Sequence, residues 1–421
     1  MRIPTSNKRK RTGHLSESGS RTEPIQEVER VSKIYEGIRV LEISDEKGMY
    51  CGKLLAQAGM EVIKIESPEG DPMRLCPPFA GGIKDRERSI FWLCNNAGKK
   101  SVTLDITSSE GQETFRKLAK TADVVLETLE PGKMAEYGLS YEDLTKENAG
   151  LVMCSITNFG QDGPYAHWNA SSEMIPFAIA GNMGESGKPG FNYEPLSFGR
   201  NVIYNGTCVY AATAILAGLR KAKLTGEGTY IDAAVIEACG LWKNESTANP
   251  QRFPYLPDRR KAGSNGPFPP DGLYQCSDGS AYVVGMARWS DLCDWCIEKG
   301  VDVGEFGNPE YRVAENDNPH VVAHGDEIRA LLSQVTVQYT KKELYEEGIR
   351  RHIPVVPMNS PQEVCEEPHY QEREYFVELE HPVAGKAMYP GAPAKLTRTP
   401  MDVTGVAPLL GADNEAILGN L

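Results

Sequence analysis

The sequence predicts an α/β protein, with a Rossmann-like large domain built on a parallel sheet and a smaller α+β domain after it. Three observations lead there. Strand-length apolar runs alternate with helix-patterned segments through the first part of the chain. The composition then turns to Pro, Gly, Arg and Asn between Asn249 and Asp271. The length, 421 residues, is too great for one ordinary core and suits two.

Residues 1–34 are polar, with Lys8-Arg9-Lys10-Arg11 ahead of a Ser/Thr/Glu-rich run, and read as a disordered tail. The basic cluster has the form of an address signal or of plain solvated charge, without the apolar core of a secretory leader. Order begins at Gly37 with a strand through Ile43, a helix over Lys47 to Ala58 and a strand over Glu61 to Glu66. Strand, helix, strand with short links makes a right-handed crossover in a parallel sheet. The pattern continues with a strand at Ser101 to Leu104. Thr107-Ser-Ser-Glu110 is read as a capping box for a helix that turns Phe115, Leu118, Ala119 and Ala122 to the sheet. Asp123 to Leu129 and Gly150 to Thr157 supply two more strands.

Domain limits are expected at 35–225 for the large domain, completed by 388–421, with 226–271 as linker and active-site loop and 272–387 as the small domain. In the small domain, Asp278-Gly279 signals a hairpin, and Thr340 and Ser360 open helices.

Several function classes fall away. A formal charge of −13 argues against nucleic acid. No apolar run of about 18 residues stands out, so no membrane span is expected. The turn Ser44-Asp-Glu-Lys-Gly48 lacks the glycines of a dinucleotide fingerprint, and the glycines ending at Gly187-Lys188 are followed by Pro189 where a P-loop needs Ser or Thr. Ten scattered cysteines suggest reduced thiols and a cytoplasmic protein. Cys293 and Cys296 share a helical face with Trp289, Leu292 and Ile297, which favours a core stripe over a redox pair. No metal site is read.

The stretch Val152 to Gly184 is the candidate for chemistry, because it runs from a buried strand through a glycine loop to one acid, Glu173, heading an apolar segment. Successive motifs then give a resemblance that runs from Gly37 to the C-terminus. They are G-I-R-V-L-E-I, V-I-K-I-E-S-P-E-G-D-P-M-R, N-N-A-G-K-K-S-V-T-L-D, A-D-V-V-L-E-T-L-E-P-G, S-I-T-N-F-G-Q-D-G-P-Y, T-G-E-G-T-Y-I-D and P-L-L-G-A-D-N-E-A-I-L. In their number and order they resemble the family III CoA-transferases (the CaiB/BaiF family), which also include α-methylacyl-CoA racemases.

The resemblance implies two domains, an interlocked dimer, a CoA thioester as substrate and no permanently bound cofactor. It implies a carboxylate nucleophile, at the position held here by Glu173, that carries first the acyl group as an anhydride and then CoA as a thioester. The family has aspartate there. It assigns Arg74, Lys99 and Lys100 to phosphate pairing. Gly160, Gln161 and Gly163, with the loop from Gly263 to Gly266, would shape and cover the site. The family's usual Asn-Phe and following Arg are replaced by Thr128-Leu129 and Glu136, and its Gly-Asp before the alanine-rich helix is absent. Two alternatives stand beside transfer: a partner-dependent or non-catalytic subunit of a heteromer formed with a paralogue, and an acyl-CoA racemase. The racemase is opposed by the lack of any histidine between His14 and His167.

Overall fold

The protein is described from a computed structural model covering residues 33–184, 196, 198–241, 270–284, 288–313, 318–419 and 421. The tail reading at 1–32, most of the Pro/Gly-rich linker, and Gly187-Lys188 lie outside these residues.

Six strands form one parallel sheet: β1 (Arg39–Ile43), β2 (Glu61–Glu66), β3 (Lys100–Thr103), β4 (Val124–Glu127), β5 (Val152–Thr157) and β6 (Thr229–Ala234), in the order β3-β2-β1-β4-β5-β6. This is the doubly wound order whose direction reverses between β1 and β4. Side chains alternate between two cores, as the two-residue period of a strand requires. Val40, Val152, Cys154 and Ile156 enter one core, while Leu41, Ile43, Leu151 and Met153 enter the other.

The first core is covered by α1 (Met49–Gln57) and by a long helix at Val202–Thr225, and the second by α3 (Ser109–Ala119). Short α2 (Ile90–Asn95) lies beside α1 and leads into β3. Ser108, not Thr107, caps α3: its hydroxyl accepts from Gly111 N at 3.0 Å, while Thr107 is held by Asp105. By length and composition Val202–Thr225 is apolar enough to cross a membrane. Its Ile203, Cys208, Ala211 and Ile215 are instead buried in the first core.

The chain's end returns to the large sheet. Asp413 and Asn414 accept from the backbone N–H groups of Ser101 and Thr103, covering the outer edge of β3. The smaller unit holds an antiparallel sheet of β7 (Gly272–Cys276), β8 (Gly279–Val283) and β9 (Val355–Pro357) with helices around one core. Its hairpin turns at Ser277-Asp278, one residue before the expected pair. Thr340 and Ser360 each form a complete capping box, with Glu343 and Glu363. Cys293 and Cys296 are free thiols buried in that core, although Ile297 of the same stripe is half exposed. A hairpin of β10 (Phe376–His381) and β11 (Gly385–Pro390) follows, and its Tyr389 packs with Met49 and Trp92.

Candidate active site

The switch point between β1 and β4, the usual ligand crevice of such sheets, is filled by protein. Thr128 Oγ1 accepts from Asp45 N at 2.8 Å and donates to Asp45 Oδ1 at 3.0 Å. Gly48 packs so closely there that a Cβ would stand 2.7 Å from the Thr128 methyl. Beneath lies a buried charge network in which Lys99 Nζ is 2.8 Å, and Lys64 Nζ 3.4 Å, from the Glu42 carboxylate.

That network changes the reading of two cations. Lys99 donates to Glu42, to Met49 O and to Asn96 Oδ1, which uses its three donors. Arg74 is 1% exposed, grips Glu66 through Nε and Nη2, reaches Glu87 through Nη1 and lies 4.1 Å over the Trp92 ring. Lys99 has no donor to spare for a phosphate, and Arg74 has four of its five N–H groups engaged, two with Glu66, one with Glu87 and one with Pro408 O, because burying a cation required pairing it within the protein. Lys100 is partly exposed and pairs with Glu61 at 2.5 Å.

Glu173 lies elsewhere, at the end of the loop that leaves β5. Asn158 Nδ2 donates to Ala170 O at 3.2 Å, tying the loop's start to its end. Gly160 takes φ +88°, where a side chain would be strained, and Gln161 N donates to Asp232 Oδ2 on β6 at 2.8 Å. Gly163 also has positive φ, while Phe159, Tyr165 and Trp168 stack into one aromatic cluster. Gly160, Gln161 and Gly163 are thus gathered in the loop that delivers the acid. Gly263 and Gly266 lie outside the described residues.

The sequence places Glu173 immediately before α4 (Met174–Ile179), yet its carboxylate does not cap that helix. It is buried, 7% exposed, and Oε2 accepts from Ile203 N at 2.9 Å and Tyr204 N at 3.1 Å. Those N–H groups open the long helix, α5 (Val202–Thr225), whose positive end favours an anion. Burial nevertheless pushes the Glu173 carboxyl up from its ordinary value, against the downward pull of the backbone bonds. Asn201, at φ +62°, makes the turn into α5, and its Nδ2 donates to Glu46 O at 3.1 Å. Arg200 lies 3.8 Å from the Glu46 carboxylate.

Arg200 and Asn201 also line a cavity of about 520 Å³ reaching along α1 and α2. Sequence reasoning had no means of finding Ile203 and Tyr204, since they act through backbone N–H groups. A carboxylate held by two such groups, at the start of a helix whose N-cap residue Asn201 lines a cavity, has the donors that acyl transfer can use.

A doubly wound α/β frame that holds such an acid can serve many activities, and comparison with known proteins specifies which class this is. Residues 35–414 match CoA-transferase family III. A succinate–glutarate CoA-transferase of Agrobacterium fabrum is 32% identical over 91% of this chain and 95% of its own length. A protein of Chloroflexus aurantiacus named succinyl-CoA–L-malate CoA-transferase alpha subunit is 29% identical over 91% of this chain and 88% of its own. The crystal structure of a CAIB/BAIF family protein from Brucella suis superposes with a TM-score of 0.80 at 27% identity, covering 92% of this chain and 99% of that one. The chain belongs to CoA-transferase family III, and it is an enzyme that moves CoA between an acyl-CoA and a free carboxylic acid.

Proposed function

We propose that Glu173 is the nucleophile of this transfer, and that short dicarboxylic acids are its acid substrates. The supporting observation is the grip of Ile203 and Tyr204 N–H on Oε2, which orients a buried carboxylate that the fold does not otherwise need as a cap for α4. A Glu173 oxygen attacks the thioester carbonyl and the C–S bond breaks, leaving an acyl-glutamyl anhydride and CoA thiolate. The thiolate then attacks the glutamyl carbonyl, releasing the first acid and forming a glutamyl-CoA thioester. The acceptor carboxylate attacks that carbonyl in turn and expels the thiolate as a second anhydride forms. The thiolate finally takes the acceptor's acyl group and restores Glu173. Each step exchanges one acyl bond for another, so the thioester's energy is retained.

When the glutamyl carbonyl is attacked, negative charge develops on an oxygen that the two N–H groups are placed to hold. The acid class follows from the succinate, glutarate and malate in the relatives' names. The cytoplasm as location, and assembly as a homodimer or with a paralogue, belong to the same proposal. A large unit completed by residues 388–421 and a small unit within 272–387 would be the parts of each protomer.

The test is incubation with succinyl-CoA, then hydroxylamine, then peptide mass spectrometry. A hydroxamate at Glu173 is expected. An active enzyme whose Glu173 peptide stays unmodified would overturn the assignment.

A further inference from the structure

Buried cations in this protein come with carboxylates. Lys64 has Glu42 and Asp71, Lys99 has Glu42, Arg74 has Glu66 and Glu87, and Lys341 has Glu363. Lys53 is the contrast. It sits in the middle of α1 at 4% exposure, and its ammonium meets the Cys94 thiol, with Sγ 3.7 Å from Nζ. Among the described residues no carboxylate pairs with it. A thiol is a weak acceptor that does little to offset a desolvated ammonium, whereas an ionised sulfur in the same place is an opposite charge.

Cys94 differs from its neighbours in turn. Cys51, Cys76, Cys154, Cys208 and Cys239 of the large unit are buried, while Cys94, near the end of α2, is partly exposed. Cys94 and Lys53 both line the cavity of about 520 Å³ between α1 and α2. Ile90 and Arg200 line it as well and are exposed, so the cavity opens to solvent. Tyr50, Phe91 and Tyr375 supply apolar wall for a short carbon chain, and the volume lies within the usual range for small-molecule sites. The thiolate is the nucleophilic form of cysteine, and reactive cysteines are found beside cations in partly exposed positions.

We infer that Cys94 and Lys53 form a self-acylation site, at which Cys94 takes a short acyl group from an acyl-CoA and passes it to Lys53 as a stable amide. The Cys94 thiolate attacks the thioester carbonyl, the bond to the CoA sulfur breaks, and the departing CoA thiolate takes a proton from the Lys53 ammonium. The acyl carbon, now one bond from Sγ, lies within reach of the Lys53 amine. Nζ attacks it, the bond to Sγ breaks, and the Cys94 sulfur takes the proton that the nitrogen sheds. The products are CoA thiol, Cys94 thiol and an acylated Lys53 that has lost its charge. Thioester exchange is reversible, but the amide does not return its acyl group to CoA, so the modification accumulates. The acyl-CoA is the one that the transfer activity already uses, and no step depends on which carboxylate carries that activity.

The test incubates the whole protein with succinyl-CoA and reads its peptides by mass spectrometry before and after hydroxylamine, which cleaves thioesters and anhydrides but leaves amides. A succinyl group that survives hydroxylamine is expected on Lys53. In Cys94→Ser its rate of formation should fall at least about 100-fold, because the acyl group is no longer delivered from a neighbouring atom. Lys53→Arg keeps the cation but cannot be acylated in this way, and there a hydroxylamine-labile succinyl group should collect on Cys94. Lys53 left unmodified in the parent, Lys53 acylated at the parent rate in Cys94→Ser, or Cys94 unlabelled in Lys53→Arg would each overturn the inference. The Lys53 amide and any Glu173 adduct differ in peptide and in hydroxylamine stability, so failure of either reading leaves the other standing.

Discussion

Lys99 and Lys53 are both buried lysines of the large α/β unit, and their surroundings are opposite. Lys99 lies in the network under the β1–β4 switch point, where a carboxylate, a carbonyl and an amide oxygen take its three donors. Lys53 faces a thiol and a cavity. The first region consists of charge that the protein has already satisfied, and it replaces the ligand crevice common to this topology with structure. The second, from α1 to the start of α5, keeps donors unspent and holds one carboxylate on two backbone N–H groups. Burial alone therefore does not mark function in this protein.

If that division is right, changes in the second region should move activity with little effect on stability, and changes in the first should do the reverse. The largest effect is expected at Glu173. Glu173→Gln keeps a carbonyl oxygen for Ile203 and Tyr204 N–H but removes the nucleophile, so kcat should fall by at least about 10,000-fold with a melting temperature near that of the parent. Glu173→Asp should restore a carboxylate but withdraw it by roughly one methylene, beyond the tolerance of a preorganised site, and its kcat should lie between the two. Because burial raises the Glu173 carboxyl and the ionised form attacks, kcat/KM of the parent should fall on acidification with a midpoint above the ordinary glutamate value. A midpoint at or below that value would remove burial as the dominant influence.

Next in size is Lys99→Met, which strands the Glu42 carboxylate beside Lys64 alone. It should cost about 3–5 kcal/mol in urea unfolding while the folded fraction keeps kcat within a few-fold of the parent. Selective loss of activity there would restore Lys99 as a ligand contact and break the comparison.

Glu127, at the C-terminal end of β4, gives a third test. Burial pushes its carboxyl up to about 7, so between the unfolded value of 4.5 and 7 the folded chain keeps a proton that the unfolded chain releases. Stability should accordingly decline as pH rises through that window. Glu127→Gln should abolish the decline, with a stability gain relative to the parent roughly 3 kcal/mol larger at pH 8 than at pH 4. The smallest expected effect is at Ser108, far from either charge cluster. Ser108→Ala should cost about 1 kcal/mol by removing the cap of α3 and leave kcat and KM unchanged.

Much of the frame was readable from residue types. Val40 to Ile43 and Val152 to Thr157 announce buried parallel strands because both faces are apolar. Thr340 and Ser360 announce helix starts because their partners lie three residues on. The cap of α3 slipped by one residue because Asp105 competes locally for Thr107. Ile297 left its stripe because ten residues of helix do not bury every turn of an apolar pattern. The cations were the least legible. Arg74 and Lys99 look like Lys53 in one dimension, and the Glu42 and Glu66 that neutralise two of them lie 57 and 8 residues away. A lysine on the apolar face of α1 was the one available hint of Lys53.

The sequence by itself determined the class of fold, the family, and the acid at the head of the segment after β5, because these depend on local patterning and on motifs in order along the chain. Tertiary structure decided which buried charges are spent on the fold and which stand without a carboxylate. It also decided that Glu173 is held by the first turn of α5 rather than by its own helix. Both outcomes depend on which groups meet across long separations, where the desolvation cost of a buried charge is either offset by a partner or left without one.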